Sequence, residues 1–133
     1  MGGPDAAIKL YIRDPISGTH LGFCELAMEN KPYAGELKTF TGYAEIVKAV
    51  AQDANGIGYS SIQQLSQGVK GASIGGVSPS VESVNQGKYP YSRLLHLYSR
   101  KGAESNEARA FLEFVQSKQG SEIKNQMGVI PQP

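Results

Sequence analysis

Arg13, Ser17, Gly18 and Thr19 are the residues of this 133-residue chain whose types and spacing best suit chemistry. They lie in Arg13-Asp14-Pro15-Ile16-Ser17-Gly18-Thr19, after an apolar run, Ile8-Lys9-Leu10-Tyr11-Ile12, and ahead of a helical pattern starting near Thr19. A strand running into Ser-Gly-Thr and then a helix sets two hydroxyls and several free backbone N–H groups at a helix N-terminus. The orphan donors and the helix dipole both point outward there, which favours an anion. Gly18 lets the backbone approach a ligand closely, and Arg13 offers a planar fork suited to a tetrahedral oxyanion. The sequence leaves a second role open for Arg13, a surface ion pair with Asp14.

Other chemical signals are weaker. Gly71-Ala72-Ser73-Ile74-Gly75 matches the Gly-x-Ser-x-Gly pattern of a nucleophile elbow. An elbow requires a strand, a sharp turn at the serine and then a helix, with an acid and a histidine later in the chain. Ser73 falls inside a strand-like run, no Asp follows it, and the only later histidine, His96, sits in another apolar run. Ser121-Glu122-Ile123-Lys124 fits Ser-x-x-Lys without companion motifs. His20 and His96 have no partner at metal-ligand spacing, and neither a Gly-x-x-x-x-Gly-Lys loop nor a Gly-x-Gly-x-x-Gly motif is present. No catalytic residue, metal or cofactor is therefore expected.

The elements that must position Arg13 to Thr19 alternate between strand and helix, which predicts an α/β fold. Residues 8–12 read as a strand and 19–30 as a helix, followed by a loop at Lys31-Pro32-Tyr33-Ala34-Gly35. A second helix is expected over 41–52, with Thr41 as its N-cap and Ile46, Val47, Ala49 and Val50 on one face. Short strands are expected at 57–59 and 69–74, with a helical turn at 60–65 between them. Ser80 should cap a short helix over 81–86 that stops at Gly87. Arg93-Leu94-Leu95-His96-Leu97-Tyr98 reads as the clearest later strand. The longest helix should begin at Ser105 and run to 117, and a last one over 120–127 should stop at Gly128.

Composition narrows the class. A formal net charge of +1, with 13 Lys and Arg scattered along the chain, argues against a nucleic-acid partner. The single cysteine, Cys24, excludes an internal disulfide and a cysteine-based zinc site, and its apolar neighbours predict a buried structural thiol. No run of 18 apolar residues suggests a membrane span. Residues 1–7, Met-Gly-Gly-Pro-Asp-Ala-Ala, lack the basic and apolar regions of a secretory signal and read as a short leader or an expression-derived start. Residues 8–133 form the domain.

The order of several motifs resembles the phosphate-binding, PstS-like branch of the type II periplasmic binding proteins. The matching pieces are Arg13 with Ser17-Gly18-Thr19, then Asn55-Gly56-Ile57-Gly58-Tyr59, Ser78-Pro79-Ser80-Val81-Glu82-Ser83-Val84 and Gly87-Lys88-Tyr89-Pro90-Tyr91-Ser92-Arg93. Phe111 to Ser117, Gly120 and Gly128-Val129-Ile130-Pro131 complete the series, in the family's order. The resemblance implies two α/β lobes joined by crossing strands, with the anion held between them. This chain then corresponds to one three-layer lobe with a mixed, mostly parallel sheet: a second-lobe core over 8–88, and a crossing strand with C-terminal helices over 89–133. In that family the Arg and the Ser-Gly-Thr donate to phosphate oxygens, so the implied ligand residues are Arg13, Ser17, Gly18 and Thr19. Some members place an Asp two residues after the Arg, where this chain has Pro15; Asp14 is one position off. The family's first-lobe segment, with its own donors and a carboxylate that accepts the proton of hydrogen phosphate, would lie before residue 8.

The function so implied is non-enzymatic binding of inorganic phosphate or a similar oxyanion, as part of an ABC-transporter receptor that is periplasmic or extracellular and meets a permease. The alternative is a ligand-free interaction or assembly module that keeps the fold and pairs as a homodimer through its exposed lobe surface.

Overall fold

The computed structural model describes residues 5–65 and 68–131. Strand β1 (Lys9–Arg13) leads into helix α1 (Gly18–Met28), strand β2 (Glu36–Phe40) into α2 (Tyr43–Ala51), and the chain returns through β3 (Gly56–Gly58). A 3-10 turn at Ile62–Gln64 follows, then helices α3 (Val81–Asn85), α4 (Asn106–Gln116) and α5 (Lys118–Gln126). The three strands form one sheet in the order β2-β1-β3, and both ladders are parallel. The fold is thus α/β, with Arg13 paired to Phe40 at one end of the first ladder and Lys9 to Gly56 at the start of the second.

The core sits on the central strand. Tyr11 and Ile12 point to opposite faces of β1, yet only 5% and 6% of their surfaces are exposed, so both faces are covered. Helices α1 and α2 both pack on β1. Ile46 of α2, 1% exposed, is the most deeply buried large side chain, and Val47 is buried beside it. The i, i+1 pair reaches the sheet because the α2 stripe 46, 47, 50 lies on one helix face. Gly58 admits this packing: a Cβ there would stand 2.7 Å from the Tyr11 carbonyl oxygen and 2.8 Å from Ile46 Cγ2.

Several elements depart from the sequence reading, each for a local reason. Strand β2 had no counterpart in it, because Glu-Leu-Lys-Thr-Phe is a half-polar edge strand with only Phe40 partly covered. Helix α2 starts two residues later than expected, with Gly42 rather than Thr41 as N-cap; the Gly42 N–H donates to Glu45 Oε2 at 3.0 Å. The stretch 69–74 is not a strand. It ends instead in a tight reversal where Ile74 and Val77 exchange both backbone hydrogen bonds across Gly75 and Gly76. Those glycines have φ of +58° and +82°, the signs a two-residue type I′ turn needs. Residues 93–98 form no strand either: no described strand pairs with them, and Leu95 and Tyr98 are 67% and 90% exposed. Helix α5 begins at Lys118 rather than Gly120, because Ser117 both ends α4 and caps α5 by accepting the Gly120 N–H at 3.1 Å. Cys24 is half-buried rather than buried.

Candidate functional site

Three chain segments converge at the C-terminal end of β1. The link from β1 leads to α1, while the link from the neighbouring β2 leads to α2, which must carry the chain back across β1 to β3. The strand order thus reverses at β1, and in such sheets the crevice outside the carboxyl ends at the reversal, here between β1 and β3, is the usual place for a ligand. Arg13 ends β1, Ser17 caps α1, and Tyr43 opens α2. The Asp14 N–H donates to the Phe40 carbonyl at 3.0 Å, so the two strand ends stay together past the ladder.

Arg13 is held on two sides. Its Nε donates to Asp14 Oδ1 at 3.2 Å, and Nη2 lies 3.1 Å from the same oxygen. Its guanidinium carbon stands 4.7 Å from the centre of the Tyr43 ring, a cation–π distance. Asp14 therefore does orient the arginine, although the sequence placed it one position away from the family's pattern. The pairing and the orienting role are the same contact, and the Arg13 side chain keeps 16% exposure. Among the described residues Nη1 has no hydrogen-bond partner and is the nitrogen left for an acceptor.

Ser17 is buried at the helix start. Its Oγ accepts the Thr19 N–H at 3.2 Å, while its own N–H donates to the Asp14 carbonyl at 3.0 Å. One of the helix-start amides, that of Thr19, is thus already capped. Gly18 and the backbone of His20 keep amides without a backbone partner among the described residues. The Ser17 hydroxyl proton is not used in this contact, because its oxygen serves as the acceptor. Helix α1 carries no acidic residue in its first turn, where α2 has Glu45. The Thr19 hydroxyl is in hydrogen-bond contact with the Tyr43 hydroxyl.

Behind these residues stands an aromatic support that sequence reasoning did not find. The Arg13 N–H donates to Tyr59 Oη at 3.1 Å, and His20 Nδ1 lies 3.0 Å from the Arg13 carbonyl, a contact that the Nδ1–H tautomer makes. Tyr59 stacks on Phe23 at 4.5 Å, and His20 packs against Tyr33 at 5.3 Å. The Tyr33 hydroxyl is buried without a hydrogen-bond partner among the described residues, and burial pushes its ionisation well above the ordinary phenol value. His20 is thereby a support for the strand end. Arg93, read from sequence as the start of a strand, lays its side chain along α1 instead. A Cβ at Gly18 would stand 3.1 Å from Arg93 Nη2, and one at Gly22 would stand 3.0 Å from its Cδ. The spacing Gly18-x-x-x-Gly22 was the available signal, since two glycines one turn apart leave a groove on a helix.

Ser73 lies outside this cluster. Its Oγ is 2.9 Å from Ser78 Oγ across the glycine turn, and none of its described hydrogen bonds reaches a histidine or a carboxylate.

A family profile described as the PBP superfamily domain matches residues 1–119. The chain is 31% identical over 133 residues to phosphate-binding protein PstS 2 of Streptococcus agalactiae, covering 93% of this chain and 45% of that protein. It is 32% identical over 136 residues to phosphate-binding protein PstS of Pseudomonas aeruginosa, covering 95% and 42%. Among solved structures, it superposes on a phosphate-binding protein of a Streptococcus pneumoniae phosphate ABC transporter with a TM-score of 0.78 and 26% identity, over 96% of this chain and 52% of that one. A Clostridium perfringens protein assigned as a phosphate ABC transporter substrate-binding protein, crystallised with phosphate bound, gives 0.77 and 25%, over 99% and 55%. The chain spans about half the length of the relatives it matches.

Proposed function

The chain belongs to the PBP superfamily, and on that premise we propose that it is a non-enzymatic oxyanion-binding lobe, with phosphate as the anion, of an ABC-transporter substrate-binding protein. The observation that carries this reading is Arg13, held by Asp14 and Tyr43 beside the Ser17–Thr19 helix start at the sheet's switch point. Arg13 supplies the charge. Ser17 and Thr19 supply hydroxyl protons, and Gly18 supplies a backbone N–H. As part of such a receptor the lobe works at the periplasmic or extracellular face and hands its anion to a permease. The similarity of the chain to proteins named for phosphate binding supports the choice of anion.

One lobe provides only part of a cleft. Each charge-assisted hydrogen bond contributes on the order of 1.5–3 kcal/mol, so a site lacking several donors binds roughly a thousandfold or more weakly than a closed one. Titration of the isotope-labelled chain with sodium phosphate at constant ionic strength should shift the amide signals of residues 17–19 at millimolar concentrations. Unchanged spectra at tens of millimolar would refute the reading.

A second reading, a ligand-free assembly module, is favoured by one observation. Leu94, Leu95, Leu97, Phe111 and Met127 are all more than half exposed along the C-terminal third. Apolar surface of this kind promotes pairing with a second copy. A strictly monomeric mass at high protein concentration would count against it.

A further inference from the structure

We propose that Tyr43 is a positioning residue of this oxyanion site, acting through Thr19 and Arg13 so that both present donors to the anion. The proposal rests on the reading of residues 13–19 as an oxyanion site. Tyr43 comes from the first position of α2, on a different crossover from the residues it touches. Its hydroxyl meets the Thr19 hydroxyl, and its ring lies under the Arg13 guanidinium at 4.7 Å. No other side chain contacts two of the four candidate ligand residues in this way among the hydrogen bonds and ring contacts described.

The contact between two hydroxyls has a directional consequence. Each hydroxyl has one proton and can accept through its oxygen. One proton lies between the two oxygens, which leaves the pair exactly one proton for a third partner. With Tyr43 donating, one lone pair of Thr19 Oγ1 is taken and its own proton turns away from Tyr43. Without Tyr43, the Thr19 hydroxyl can rotate back to a carbonyl of the preceding turn, a common alternative for Thr in a helix. The ring does similar work for Arg13. Asp14 fixes one edge of the guanidinium and Tyr43 covers one face, so the free Nη edge has a single outlook.

The test is a double-mutant cycle of Tyr43→Phe and Thr19→Val in the full chain. Binding of sodium phosphate is read as the initial slope of the residue 17–18 amide shifts, with thermal unfolding recorded for each variant. Tyr43→Phe keeps the ring under Arg13 and removes only the hydroxyl. It should weaken phosphate binding about fivefold, the size of one ordinary hydrogen bond. In the Thr19→Val background the same change should alter binding by less than about twofold, because the hydroxyl it acts through is gone. Tyr43→Leu, which also removes the ring, should bind more weakly than Tyr43→Phe. Equal weakening by Tyr43→Phe in both backgrounds overturns the positioning role, since Tyr43 would then touch the anion directly or act through the fold. Wild-type response with unchanged binding in Tyr43→Phe overturns the proposal alone. No response from the wild-type chain overturns the oxyanion reading, and the proposal with it.

Discussion

Replacing Asp14 by Asn should strengthen oxyanion binding. Asp14 acts on the site in two opposed ways. Its Oδ1 accepts from Arg13 Nε at 3.2 Å and stands 3.1 Å from Nη2, which orients the fork. Its negative charge also repels any anion that the fork receives. The Asn side-chain oxygen can accept the same hydrogen bonds, and the Tyr43 ring still holds the guanidinium face, so orientation largely survives. The charge does not. An oxyanion on the free Nη edge stands roughly 6 Å from the carboxylate, where a pair of unit charges in water-like dielectric interacts by about 0.7 kcal/mol. Sulfate, with two charges, then gains about 1.4 kcal/mol, or about tenfold in affinity. Screening over a Debye length of about 10 Å cuts this to about fourfold near 0.1 M salt. The assay is an amide-shift titration with sodium sulfate at low and at moderate ionic strength, comparing wild type with Asp14→Asn. Tighter binding that shrinks with added salt is the expected result. Weaker binding by Asp14→Asn at low salt would refute the reasoning, because it would mean that a full carboxylate is needed to aim Arg13.

Three further outcomes follow from the same contacts. Ser17→Ala removes the hydroxyl that accepts the Thr19 N–H, and should cost about 1 kcal/mol of stability by chemical denaturation. It should weaken phosphate binding as well. Ile46→Ala empties the most buried position against β1 and should cost about 2–5 kcal/mol, enough to leave much of the chain unfolded near 37 °C by circular dichroism. The Tyr11 hydroxyl and the Asn55 amide both donate to Asp53 and hold its carboxyl below the ordinary 3.8. A depressed folded-state value stabilises the protein above the unfolded value and is lost as pH falls through the folded one. Acid unfolding should therefore set in below about pH 4. Asp53→Asn should flatten that limb; an unchanged acid profile would show that the Asp53 interaction contributes nothing.

The part of this architecture that was legible in the sequence is the part fixed by local periodicity and caps. Ser80 and Ser105 start α3 and α4 as capping residues should, each accepting a backbone N–H from three residues on. Strand β1 was legible because it is central, so its side chains are apolar on both faces. Strand β2 was not, since an edge strand needs no such run. Residues 93–98 mislead in the opposite sense: their apolar character reports what they could pack against, but a strand exists only where another strand offers a ladder. At the site, Arg13, Ser17, Gly18 and Thr19 are near one another in sequence and could be read as a motif. Tyr43 and Tyr59 belong to the site through the sheet order, which brings residues 24 and 46 positions apart into hydrogen-bond contact. No single-sequence pattern encodes that order.

The donors at this site also bear on what the lobe can distinguish. Arg13 can only donate, and so can the Gly18 amide. The Ser17 oxygen accepts the Thr19 N–H and the Thr19 hydroxyl is engaged by Tyr43, so each hydroxyl has part of its capacity already used within the protein. The nearest carboxylate, Asp14, spends its Oδ1 on Arg13. A set of this kind recognises negative charge and tetrahedral oxygen spacing, but for a proton carried by the anion it offers hydroxyl lone pairs rather than a carboxylate dedicated to it. Telling hydrogen phosphate from sulfate requires such an acceptor, because the two differ little in shape and differ in whether an oxygen bears a proton. The 13–19 segment by itself should therefore bind the two with affinities within about threefold, since neither loses a hydrogen bond the other keeps. Parallel titrations at matched ionic strength test this directly, and a preference for phosphate of tenfold or more would mean that an acceptor at the site has gone unrecognised.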